Sequence, residues 1–169
     1  AHVLDVRHPT SDVGRGTSYN SEILLKVMPL LKERAKTFKE AREMLVGELS
    51  FFFTEPKLDK NLLMANGPKE RLGGMTKLAL ESLLEPIKAL KNGVSANTVK
   101  ESIMPIADAE EAKGLLAQAG KGGRGAVLWP LRYALSGQER SPDPFTLISI
   151  LGTEESVSRI RKAIAILGE

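Results

Sequence analysis

Apolar residues recur along this chain at intervals of three and four, and the breaks between runs carry proline, glycine or a residue able to cap a helix. Ile23, Leu24, Val27, Met28 and Leu31 share one side of a helix that begins after Ser21. Pro29 is expected to bend or divide that helix, because proline lacks an amide donor and crowds the preceding turn. Thr37 and Glu40 have capping-box spacing and open a second helix that buries Ala41, Met44 and Leu45. The phenylalanines of "GELSFFFTEP" have no partner strand elsewhere, so they read as a helix or tight turn whose rings fill the core. "LDKNLLM" reads as a short helix and "NGPKE" (66–70) as a turn with Pro68 suited to a first helical position. Gly73 and Gly74 weaken helix, which places the start of the next one near Met75, with Leu80, Leu83, Leu84, Ile87 and Leu90 as its stripe and Pro86 as a kink. Thr98 and Glu101 again have capping-box spacing and lead into an alanine-rich helix ending near Gly120.

The last third is the most regular. Leu131, Ala134 and Leu135 form an apolar side, and Gly137 suits the left-handed residue that closes a helix. Asp143 caps another with Pro144 at its first position, running through Phe145, Leu147, Ile148 and Leu151 to Gly152. Thr153 is placed to cap a final helix, with Glu154 and Glu155 in its electropositive first turn and Val157, Ile160, Ile164 and Leu167 on its apolar face. The punctuation sets corners between three short helices. The whole pattern predicts an all-α fold: an irregular helical bundle or cage in two packed subdomains, 21–94 and 95–169, after a lead-in at 1–20 that shows no sustained period.

A hydrophobic fraction of 42% in 169 residues supports a real core. With no cysteine, disulfides, iron–sulfur clusters and thiol nucleophiles are excluded, and His2 and His8 lie in the aperiodic lead-in rather than in a metal cluster. No apolar run is long enough to span a bilayer and no secretory layout opens the chain, so no membrane association and a cytoplasmic location are expected. Net charge is +3, but its distribution says more: Lys26 to Arg42 carries six basic residues against Glu33 and Glu40. Such a stretch is either a solvated helix face or a surface for a polyanion.

Catalytic readings fail on spacing. "GKGGRG" (120–125) lacks the GxxxxGK[ST] pattern and follows a helix, leaving a linker or a basic loop that touches phosphate. The carboxylates of "DAEEA" and the hydroxyls of Ser136, Ser141 and Ser149 have no histidine to activate them.

The stretch "GRGAVLWPLRYALSG", continued by "SPDPFTLISILG", resembles the C-terminal end of bacterial-type glutamyl-tRNA synthetases. In that family a glycine-basic turn leads into Pro-Leu-Arg, an Ala-Leu-Thr-Gly or Ala-Leu-Ser-Gly corner, Ser-Pro and a Phe-containing helix ending at Leu-Leu-Gly. Gly123 and Arg124, Pro130 to Arg132, Ala134 to Gly137, Ser141, Pro142, Phe145 and Ile150 to Gly152 follow that order. Upstream, "VMPLLKERAKTFKEAREML" and "FFFTEP" resemble the opening of the family's anticodon-binding region, so the likeness runs from Ile23 to Leu167. The family's catalytic motifs, similar to His-Ile-Gly-His and Lys-Met-Ser-Lys, do not occur.

The resemblance implies a non-catalytic, monomeric anticodon-binding fragment without a cofactor of its own. It implies that the parent enzyme attaches glutamate to tRNA-Glu, with ATP and magnesium in a catalytic domain that is this part's intramolecular partner, and it leaves recognition of tRNA-Gln open. Candidate RNA contacts are Lys32, Arg34, Lys36, Lys121, Arg124, Trp129 and Arg132. Arg132 either reaches RNA or ties two helices together, and Trp129 and Tyr133 either stack on bases or fill the core. The competing reading is a helical protein-interaction module that orients a partner enzyme.

Overall fold

The computed structural model describes residues 20–64, 69–112 and 124–168. Among them are eight α-helices and no strand: α1 (Ser21–Arg34), α2 (Phe38–Val46), α3 (Lys60–Leu63), α4 (Lys69–Ala89), α5 (Ala96–Ala112), α6 (Gly125–Ser136), α7 (Pro144–Leu151) and α8 (Thr153–Gly168), with a 3-10 turn at Ser50–Phe52. The all-helical expectation holds. None of these helices is long and apolar enough to cross a membrane.

Caps account for most of the helix starts. Asn20 accepts the Glu22 amide at 3.0 Å to open α1. Thr37 accepts the Glu40 amide at 3.2 Å, while the Glu40 carboxylate reaches back to the Lys36 amide at 2.7 Å. Asp143 accepts the amides of Phe145 and Thr146, both at 3.0 Å, ahead of Pro144 at the first position of α7. Each cap satisfies donors that a helix start leaves without a partner. At the other end of α6, Gly137 takes φ 65° and its amide bonds the Tyr133 carbonyl at 2.7 Å. The triple phenylalanine forms the expected turn, with Phe51 and Phe52 buried and Phe53 packed against the core.

Several boundaries differ from the sequence reading. Helix α1 runs through Pro29 without division. The carbonyl that loses its partner belongs to Leu25, which is exposed, so water can take the missing donor's place. Helix α4 begins at Lys69, not near Met75, and carries Gly73 and Gly74 within it. Each glycine costs about 1 kcal/mol relative to alanine, but α4 shares the most extensive helix–helix contact of the fold with α8, and packing outweighs propensity. It also runs through Pro86. The start of α5 is capped by Ser95, whose hydroxyl accepts the Thr98 amide at 3.2 Å, so Thr98 is a helical residue and not the cap. Thr153 is likewise inside α8; its hydroxyl donates to Asn92 at 2.9 Å, from the corner between α4 and α5. Helix α2 has no fully buried residue, and Ala41, Met44 and Leu45 pack only partly against the core. The expected turn around Pro68 and helix end near Gly120 lie outside the described residues.

One buried cluster joins the helices. It draws Val27 and Leu31 from α1, Leu80, Leu83 and Ile87 from α4, Val99 and Ile103 from α5, Leu131 and Leu135 from α6, Leu147 and Ile148 from α7 and Ile160 from α8. Burial of each such side chain is worth about 1.5–3 kcal/mol. The stripes read from the sequence for α4, α6, α7 and α8 are the faces that enter this cluster.

Candidate nucleic-acid interface

Two groups of candidate residues stand on different corners. In the first, Lys32 and Arg34 occupy the last turn of α1, where cations oppose the negative end of the helix dipole, and Lys36 lies in the link to α2. All three are exposed, as are Lys39 and Arg42 on α2. Arg34 donates from Nη2 to Glu48 Oε2 at 3.1 Å, an ion pair left half-exposed. The Thr37 cap and the Lys36–Glu40 bond hold the backbone of this corner in place.

The second group surrounds α6. Arg124 precedes the helix and pairs through Nε with Asp108 of α5. Trp129 is partly buried and donates from its indole nitrogen to the Leu62 carbonyl of α3 at 3.0 Å. The Arg132 guanidinium lies 4.7 Å from the centroid of that indole, and its Nη2 donates to the Glu139 carbonyl at 2.8 Å. Trp129 and Arg132 therefore act as a unit that joins α3, α6 and the corner after α6. Tyr133 is buried and its hydroxyl accepts the Asp59 amide at 3.2 Å. Lys121 lies outside the described residues.

Under this second group sits a side chain that sequence reasoning passed over. Arg159 of α8 is 3% exposed and donates to the Leu135 carbonyl at 2.6 Å, to Glu155 at 2.7 Å and to the Thr54 carbonyl at 3.4 Å. It ties the end of α6 and the chain after the 3-10 turn to the last helix. The only local sign of it was the Glu155–Arg159 spacing of four, which is common on solvated helices. At the same corner, a β-carbon on Gly137 would stand 2.7 Å from Pro56 Cβ and 3.0 Å from the Lys57 carbonyl oxygen. Both the left-handed backbone and the close approach require glycine there.

A cavity of about 60 Å³ opens beside Arg159, lined by Glu55, Pro56, Leu58, Ala134, Lys162 and Ile166. It has room for water and not for a nucleotide or amino-acid substrate. What the two corners offer is cations on a rigid helical frame, chemistry suited to a phosphate backbone.

A family model described as an anticodon binding domain matches residues 3–164. The chain belongs to the anticodon binding domain family. Among curated relatives of this anticodon binding domain, glutamate–tRNA ligase 1 of Mesorhizobium japonicum is 35% identical over 153 residues, a stretch covering 89% of the chain and 28% of the relative. The glutamate–tRNA ligase of Treponema denticola is 32% identical over 149 residues, covering 88% of the chain and 26% of the relative. The solved glutamate-tRNA synthetase from Elizabethkingia anophelis superposes with a TM-score of 0.59 at 35% identity, over 86% of the chain and 24% of that structure. The anticodon binding domain thus spans about a quarter of the length of the curated relatives it matches.

Proposed function

We propose that this chain is the part of a glutamate–tRNA ligase that grips the anticodon stem-loop of tRNA-Glu. The observation that carries the reading is the anticodon-binding match over residues 3–164, joined to the similarity with glutamate–tRNA ligases over most of the chain. In this reading the parent enzyme attaches glutamate to its tRNA in the cytoplasm using ATP and magnesium. Those groups belong to a catalytic part outside this chain. Among the described residues no cluster of three or more metal-ligating side chains is placed to hold a cation, and no step is assigned to this chain's own groups.

The physical division of labour follows from the two corners. Lys32, Arg34 and Lys36 sit on one corner, and Arg124, Trp129 and Arg132 around the other; Lys121, outside the described residues, precedes Arg124 in the sequence. Cations there neutralise phosphates and set the register of the RNA, from helices whose backbone is already formed, so that it is chiefly side chains that are ordered on binding. We place the boundary between two packed subdomains, 21–94 and 95–169, in the link between α4 and α5. We take the chain to act as a monomer.

The experiment is a fluorescence-anisotropy titration of the 169-residue chain with a tRNA-Glu transcript, a version altered only in its anticodon, and a tRNA-Gln transcript. The expected result is binding that weakens as salt rises, because each phosphate contact releases condensed counterions, and that falls when the anticodon changes. Equal binding of all three, or none at low salt, would overturn the reading. An ATP–pyrophosphate exchange assay with glutamate and tRNA is expected to show no turnover by this chain alone.

A further inference from the structure

The five phenylalanines of the chain divide unequally. Phe51 and Phe52 are buried, and Phe53 and Phe145 pack against the core. Phe38, the first residue of α2, is 96% exposed. Among the described residues it is the one exposed aromatic ring: Tyr133 is buried, and Trp129 is bonded to Leu62 with Arg132 over its face.

A lone exposed side chain is ordinary on a protein surface, but the surroundings of this ring are not. Lys36, Lys39 and Arg42 flank it in sequence and are exposed, with Lys32 and Arg34 one turn back across the corner. Phe38, Arg42 and Val46 recur at intervals of four and are all exposed, on a side of α2 next to the positions Ala41, Met44 and Leu45 that meet the core. The backbone that carries the ring is held at a defined place, because the residue before it is the Thr37 cap and the one before that is bonded to Glu40. A flat apolar face on a capped backbone, set among cations, matches an unpaired nucleotide: the base stacks on the ring while the cations meet the adjoining phosphates. Phenylalanine and arginine also suit a protein partner, but the three lysines Lys32, Lys36 and Lys39 are of a type depleted from protein–protein interfaces and suit phosphates.

We propose that Phe38 is a stacking platform for an unpaired RNA base, working with the cations of the α1–α2 corner. This inference rests on the RNA-binding reading above and adds a specific contact to it.

The test uses the full chain and a fluorescein-labelled RNA stem-loop carrying the tRNA-Glu anticodon, with the same stem as a fully paired duplex for comparison. Phe38→Ala and Phe38→Leu are expected to weaken stem-loop binding by about five-fold or more, with little effect on the duplex. Phe38→Trp is expected to bind at least as tightly as the parent chain. The slope of affinity against salt should be unchanged in Phe38→Ala, because no phosphate contact is removed, whereas Lys36→Ala should flatten it. Stem-loops with one loop base at a time replaced by an abasic site then locate the partner: at one position the losses from base removal and from Phe38→Ala should fail to add. An exposed side chain leaves the fold intact, which unchanged urea midpoints would verify. If Phe38→Ala binds the stem-loop as the parent does, the stacking role is overturned while the RNA reading stands, and the ring is left for a protein partner. If the parent chain binds neither RNA at low salt, both fall together.

Discussion

Around Gly137 every group is tied down: the glycine is pressed against Pro56, Arg159 is buried across three partners, and Leu131 and Leu135 are fully enclosed. Around Thr37 the backbone is capped with equal care, yet α2 buries nothing completely and turns Phe38, Lys39 and Arg42 to solvent. Both corners are rigid, but rigidity comes from tertiary packing in one and from local hydrogen bonds in the other. The first therefore carries stability, and the second can present a surface without drawing on the core.

Removing buried volume from the Gly137 corner is expected to have the largest effect. Leu135→Ala is expected to lose about 2 to 5 kcal/mol in urea unfolding, from transfer energy and the cavity left behind. An unchanged midpoint would show that α6 does not anchor the core. Gly137→Ala is expected to cost about 2 to 4 kcal/mol, combining a left-handed backbone with contact against Pro56. If it were tolerated, the corner would be looser than its geometry states. On the other corner, Arg34→Ala removes a half-exposed ion pair with Glu48, and at the exposed start of α6 Arg124→Ala removes one with Asp108. Each should shift stability by no more than about 0.5 to 1 kcal/mol while weakening tRNA-Glu binding in anisotropy. A large stability loss with unchanged binding in Arg34→Ala would reverse the roles of the two corners.

The smallest effect concerns Glu22, whose carboxyl is held below its ordinary value of 4.5 by the hydrogen bond from Lys26 and then by that residue's charge. The folded value is the lower one, so the pair's contribution is present above the ordinary carboxylate value and lost as pH falls through the lowered one. The difference between the parent and Glu22→Gln in urea midpoint should be slight near neutral pH and shrink in acid. A difference that grows in acid would place the interaction elsewhere.

The candidate contacts were legible as residue types but not as roles. Lys32, Arg34 and Lys36 stood out because a run of cations is visible without a structure. Trp129 and Arg132 were visible too, but their attachment to Leu62 and Glu139 was not. Phe38 escaped notice because a phenylalanine beside a helix cap reads as core until its face is known.

What the sequence determined by itself was the set of interactions that close within a few residues: the Thr37 and Asp143 caps, the left-handed close at Gly137, and the apolar stripes of α4, α6, α7 and α8. Tertiary structure decided what depends on a distant partner. It carried α4 through two glycines by packing it on α8, and gave the Thr153 hydroxyl to Asn92, 61 residues away. It also set the indole of Trp129 on a carbonyl 67 residues away and left Phe38 without a core to enter. Caps and periodicity are local because a helix turn is local, whereas burial is a property of whatever the folded chain brings alongside.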